Sequence, residues 1–213
     1  MMIVEVGEMA EVEERKVEEL TKKGETMLSE RMTEALNGQA NRELYSSYLY
    51  LSMSAYFESI KMKGFASWMR VQAGEELVHG MKLYDYIVSA GGRGKMLAIE
   101  APQFSWTSPL DAFQHVYNHE RVVTGLIHAL VNLSVAEKDG ATKSFLQWYV
   151  DEQVEEEESS DMVLGKVKAA GNDKAALMAA DKELGQRRFK FPRGYDIFPY
   201  AVQQGTTVGS LKK

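Results

Sequence analysis

The sequence predicts an all-α protein: a four-helix bundle with one long crossover loop and a short fifth helix at its C-terminal end. Three observations predict it. The four prolines stand at 102, 109, 192 and 199, so residues 28–90 and 110–170 contain none. Apolar residues recur at helical spacing through both stretches. Between them lies "KMLAIEAPQFSWT" (95–107), too long for a tight turn and too irregular for a helix. Two long helices, a crossover and two more helices is the order of a bundle with one crossover connection.

Each element has its own signals. The first helix is expected over 29–58, with Ser29 as N-cap and Leu36, Glu43, Tyr50 and Phe57 repeating every seven residues. The second, 62–90, stops at "GGRG". Its inner face reads Phe65, Met69, Gln72, Glu76, His79, Leu83, Tyr86, Ala90. The third opens at "SPLD", with Ser108 as N-cap, Pro109 in the first helical position and Asp111 completing a capping box, and runs to about 137. Phe113, Tyr117, Glu120, Thr124, Ile127, Val131 and Ser134 share one face. After "KDGA" the fourth covers 140–170, facing inward with Thr142, Leu146, Tyr149, Gln153, Glu156, Ser160, Val163 and Val167. Gly171 ends it, and "NDKAALMAADKELGQRR" is the short fifth helix. Three regions follow: an acidic N-terminal extension over 1–27, the bundle domain over 28–188, and a tail over 189–213 without helical pattern.

Composition narrows the function. The chain has 213 residues, 45% hydrophobic and 26% charged, which suits one globular domain with additions at its ends. No apolar run is long enough to span a membrane. The N-terminus is acidic where a secretory signal would be basic, so a cytoplasmic protein is expected. The absence of cysteine excludes disulfides and thiolate metal sites. A net charge of −6 disfavours nucleic acid as a partner and is compatible with attracting cations.

Each long helix carries a metal-competent residue on its core face: Glu43, then Glu76 with His79, then Glu120, then Gln153 with Glu156. Glu43 to Glu76 is 33 residues and so is Glu120 to Gln153, each followed by a second such residue three positions on. "E…ExxH" is thus echoed by "E…QxxE". A single buried glutamate would read as a core ion pair. Four carboxylates and a histidine on faces without lysine or arginine repel one another unless a cation lies between them. Carboxylates with one imidazole suit iron, manganese or zinc, and iron best in an oxygen-handling site.

The segments "LNGQANRELYSSYLYLSMSAYF", "EELVHGMKLYDYI", "VYNHE" and "FLQWYVDEQVEEEE" closely resemble a prokaryotic non-haem ferritin across residues 28–188. The resemblance implies a ferritin-like bundle, a hollow homo-oligomeric shell of 24 subunits, and iron storage with Fe(II) oxidation at a di-iron ferroxidase centre. Glu43, Glu76 and His79 resemble the ligands of the first iron. Glu76 as bridge, Glu120 and Glu156 resemble those of the second, with Gln153 close by. Glu75, Glu152 and Glu155 match a third iron site on the bundle rim; the plainer reading of that acidic run is a solvated face. Tyr50, two turns along from Glu43, matches a tyrosine able to supply an electron to oxygen. Only one Glu-x-x-His is present, which departs from the bacterioferritins. Leu77 stands directly after the bridging glutamate, where those proteins place the haem-ligating methionine, so no haem is expected. Gly74 and Gly80 bracket the site and are expected where helices approach closely. His115 and His119 have the spacing of a surface metal pair, though lone helical histidines are usually solvated.

Two rivals carry weight: a non-storage di-iron oxidase or peroxidase of the rubrerythrin type, and a catalytically silent structural shell subunit. Rubrerythrins usually carry two Glu-x-x-His motifs and a cysteine-rich module, and a silent subunit needs a lost ligand; neither condition is met. The C-terminal "TTVGSLKK", Thr206–Lys213, resembles the cargo-loading peptide of encapsulin systems. That implies a flexible tether and an encapsulin shell as partner and compartment.

Overall fold

Ser29 opens the first helix as expected. Its Oγ accepts the Met32 N–H at 2.9 Å, satisfying one of the amides a helix start leaves free. The same hydroxyl donates to Glu137 at 2.6 Å, tying this end of the bundle together. The computed structural model describes residues 27–190, so most of the N-terminal extension and all of Thr206–Lys213 lie outside the described residues.

Five helices follow in order: α1 Glu30–Ser59, α2 Lys63–Ser89, α3 Pro109–Ala136, α4 Gly140–Ala170 and α5 Lys174–Leu184. They match the expected spans to within a residue or two, except that α5 stops at Leu184, short of the arginines. Gly91, with φ 78°, turns the chain out of α2 in a conformation that favours glycine. The crossover then runs back along α1. Asn37 donates to the Arg93 carbonyl at 3.0 Å and accepts the Lys95 N–H at 2.6 Å, and Ser52 donates to the Gln103 carbonyl at 2.7 Å. These bonds return the chain to the end of the bundle where α3 starts.

One cap differs from expectation. Ser108 accepts the Asp111 N–H at 3.1 Å, but Asp111 does not reach back to Ser108. Its Oδ2 takes the N–H and the hydroxyl of Thr107, both at 2.9 Å, because Thr107 offers two donors together. α2 has no side-chain cap of its own at Met62. Asp181 of α5 supplies it, accepting the Phe65 N–H at 2.8 Å.

The bundle interior is two apolar clusters with a polar layer between them. One contains Leu49, Tyr50, Phe57, Phe65, Trp68, Phe113 and Val163. The other contains Leu36, Leu83, Ile127, Leu146 and Tyr149. Packed rings and aliphatic chains on either side fix the helix registers, and so fix the polar layer.

Candidate metal centre

Glu43, Glu76, His79, Glu120, Gln153 and Glu156 make up this layer, each exposed by 5% or less. All four long helices contribute, as the heptad faces predict. Glu43, Glu76 and His79 bring ligand atoms within 4.8 Å of one another, and so do His79, Glu152 and Glu156. His79 belongs to both groups. Its Nδ1 lies 3.3 Å from Glu76 Oε2 and its Nε2 lies 3.8 Å from Glu152 Oε1. The Tyr149 hydroxyl donates to the His79 carbonyl at 2.7 Å, and Trp148 stands edge-on to the imidazole, 5.4 Å between ring centres.

Glu120 falls in neither group. Its Oε1 accepts the Tyr50 hydroxyl, so Tyr50 serves the second half of the site from its place beside the first. Gln153 donates from Nε2 to the Glu120 carbonyl at 3.3 Å and to the Thr124 hydroxyl at 3.2 Å. Two further glutamines fix carboxylates: Gln39 donates to Glu43 at 2.9 Å, and Gln72 donates to Glu156 at 2.8 Å. Among the described residues three buried carboxylate oxygens make no hydrogen bond, Oε2 of Glu43, of Glu76 and of Glu120, and of these the Glu76 oxygen has only the 3.3 Å approach of His79 Nδ1. They come from three different helices.

The electrostatics follow from that burial. Desolvation raises Glu43, and raises Glu76 well above the usual carboxylate value. Desolvation, then repulsion from Glu156, pushes Glu120 up to about 8. Burial would lower His79, but Glu152, Glu76 and Glu43 together hold it well above the ordinary imidazole value. Desolvation and the Glu120 charge keep the Tyr50 phenol protonated. A set of carboxylates that binds protons this tightly is one a multivalent cation would relieve.

The rim differs from a plain acidic face. Glu75 is pushed up to about 7 by burial and paired with Arg187 Nη2 at 2.7 Å. Glu152 faces His79, and Glu155 is exposed. The ligand faces indeed carry no lysine or arginine, yet a guanidinium arrives from beyond α5. His115 and His119 in α3 are engaged with different partners. His115 accepts from the Trp106 indole at 3.1 Å, while His119 meets the Ser46 hydroxyl at 2.8 Å and is driven down to about 4, first by burial. Gly80 meets α1 as expected, where a Cβ would lie 3.3 Å from Leu44. At Gly74 the nearest neighbour is the ring of Phe189, 3.3 Å from where a Cβ would be.

Gln39, Gln72 and Arg187 went unnoticed as site residues in the sequence. The glutamines had a signal, since each stands four positions before a buried glutamate on the same face. Arg187 had none.

Residues 33–170 match the ferritin family, described as a ferritin-like domain. The chain belongs to the ferritin family. A bacterial non-heme ferritin from Bacteroides fragilis is 45% identical over 161 residues, covering 76% of this chain and all of that protein. One from Staphylococcus aureus is 39% identical over 163 residues, covering 76% and 98%. Among solved structures, an open-pore ferritin from the hyperthermophilic archaeon Archaeoglobus fulgidus is 56% identical and superposes with a TM-score of 0.75, covering 76% of this chain and 99% of that one. A closed form of the same ferritin, engineered by site-directed mutagenesis, is 56% identical with a TM-score of 0.76 and the same coverage. This ferritin is an iron-storage protein that oxidises Fe(II).

Proposed function

We propose that this ferritin oxidises iron within its own bundle. Glu43, Glu76 and His79 hold one Fe(II); Glu76, Glu120 and Glu156 hold a second, with Gln153 beside it. The observation that carries this reading is the trio of buried oxygens on Glu43, Glu76 and Glu120 that make no hydrogen bond, of which only the Glu76 oxygen has a charged neighbour, His79 at 3.3 Å. A buried carboxylate oxygen without a partner costs on the order of 1–3 kcal/mol or more, and two Fe(II) ions bound there would satisfy all three. Dioxygen or peroxide takes the electrons, and the carboxylates stabilise the added positive charge of Fe(III). Tyr50 is placed to give up an electron from its ring while its hydroxyl proton passes along the existing bond to Glu120. Leu77 takes the place of a haem-ligating methionine, so the reading includes no haem. Glu75, Glu152 and Glu155 form an outer, third iron site on the rim.

The product iron collects as mineral inside a shell of 24 copies. Ferritin relatives support a homo-oligomeric shell, and so does the apolar surface of the crossover loop: Phe104 is 82% exposed on the single chain and Met96 65%. Thr206–Lys213 is read as the segment that carries the shell into an encapsulin compartment. Deleting 206–213 is expected to abolish co-purification with an encapsulin and to leave iron oxidation unchanged; loading that survives the deletion removes this part of the reading.

Stopped-flow oxidation by the Glu76→Ala variant tests the centre. Loss of the shared ligand is expected to abolish the fast phase while the protein still assembles. Oxidation at the wild-type rate would end the assignment.

A further inference from the structure

The segment after α5 lies across α2 at the level of the carboxylate layer. Gly185, Arg187 and Phe189 are partly buried, whereas Gln186, Arg188 and Lys190 are exposed. A turn closes α5, with Gln186 N–H donating to the Glu183 carbonyl and Arg187 N–H to the Leu184 carbonyl, and the chain beyond it turns alternate side chains toward α2. Gly185 meets Gly64 near the start of α2, and Phe189 covers Gly74 further along. Between them the Arg187 guanidinium lies over Trp68, 5.0 Å from the ring centre. One of its nitrogens, Nη1, donates to Gln72 Oε1 and the other, Nη2, to Glu75 Oε2 at 2.7 Å.

Gln72 is the link to the metal centre. An amide can present either its oxygen or its NH2, and only the NH2 suits a carboxylate. Arginine has donors and no acceptor, so its bond to Gln72 Oε1 turns Nε2 toward Glu156, where it donates at 2.8 Å. Without Arg187 the amide is free to flip and set its oxygen against Glu156. The second nitrogen neutralises Glu75 in the same stroke. Lysine has three donors on one flexible point charge and lacks the planar fork that fixes both acceptors at once.

We propose that Arg187 is a positioning residue for the metal centre and the resident cation of its rim: it fixes Gln72 so that Nε2 holds Glu156, and it occupies Glu75 until a metal ion displaces it. This rests on the reading of Glu156 as an inner ligand and Glu75 as an outer one. The outer site therefore fills last, after the pair within the bundle. The chain reaches its own site from a segment more than a hundred residues beyond Glu76, so the ordering depends on α5 being docked.

The test is anaerobic Co(II) binding to the assembled full-length protein, followed by calorimetry and by the visible bands of bound Co(II). Wild type, Arg187→Met, Arg187→Lys and Glu76→Gln are compared. In Arg187→Met the outermost Co(II) is expected to bind about tenfold tighter, because it no longer displaces a charge-assisted hydrogen bond. The inner ion on Glu156 is expected to bind more weakly, with altered bands. Arg187→Lys keeps a charge at Glu75 and loses the fixed fork that orients Gln72, so the inner change alone is expected. Arg187 variants that bind Co(II) as wild type does, while Glu76→Gln loses the inner ions, overturn the inference and leave the metal centre intact. Wild-type protein that binds no Co(II) in the bundle overturns both.

Discussion

His79 is held from several sides: Glu76 and Glu152 face its two nitrogens, Trp148 stands at its edge and Tyr149 grips its carbonyl. Such support fixes ring orientation before any ion arrives, as the partners of metal-ligating histidines commonly do. His79→Ala is therefore expected to weaken the first inner ion by at least the roughly 10–100-fold that loss of a supporting partner alone costs. Anaerobic calorimetry reads this, and an unchanged first affinity would remove His79 from the ligand set. Glu155 is exposed, and its replacement by alanine is expected to leave the initial oxidation burst intact while lowering the number of irons bound per chain. An unchanged iron number returns it to the solvated face. The buried carboxylates and His79 were legible in the sequence because charged residues on an apolar seam violate a strict pattern. The direction of each side chain was not. Tyr50 lies on the seam of Glu43 and yet bonds Glu120, since side chains two turns along a helix reach across to a neighbouring helix as readily as along their own.

At the scale of elements, α5 is short but is joined to the rest through a close contact. Gly64 at the start of α2 has no room for a Cβ, which would lie 1.7 Å from the Asp181 carbonyl oxygen. Asp181 in turn caps α2. Asp181→Ala is expected to cost about 1–2 kcal/mol, the usual worth of an N-cap. Gly64→Ala is expected to cost more, because backbone cannot yield as a flexible side chain does. Thermal unfolding measures both, and limited proteolysis is expected to cut α5 first in Gly64→Ala; a melting temperature equal to wild type in both variants would show that α5 is not anchored this way. Helix spans were readable from caps, glycines and the absence of proline. Contacts between α5 and α2 were not, because they join residues more than a hundred positions apart and involve backbone atoms that no side-chain pattern encodes.

For the whole molecule, the buried carboxylates set how stability depends on pH. Glu120, at about 8, and Glu75, at about 7, hold protons more tightly when folded than the ordinary value of 4.5 allows in the unfolded chain. The stability they contribute is complete below 4.5 and is lost as pH rises through those values. His79, also raised, acts in the same direction. His119, lowered to about 4 from 6.5, acts oppositely, and its effect is finished by pH 6.5. The melting temperature of the metal-free protein is therefore expected to fall between pH 6.5 and 8, each group contributing at most about 1.4 kcal/mol per pH unit. Bound metal displaces those protons, so Co(II) is expected to stabilise the protein more at pH 8 than at pH 6.5. A metal-free melting temperature that rises across this window contradicts the picture of protonated carboxylates. The most direct measurement of the centre itself is anomalous diffraction at the iron edge from crystals loaded anaerobically with Fe(II). The account predicts two peaks inside the bundle, one among Glu43, Glu76 and His79 and one among Glu76, Glu120 and Glu156. Iron bound only at the rim, around Glu75, Glu152 and Glu155, with an empty interior, would contradict it.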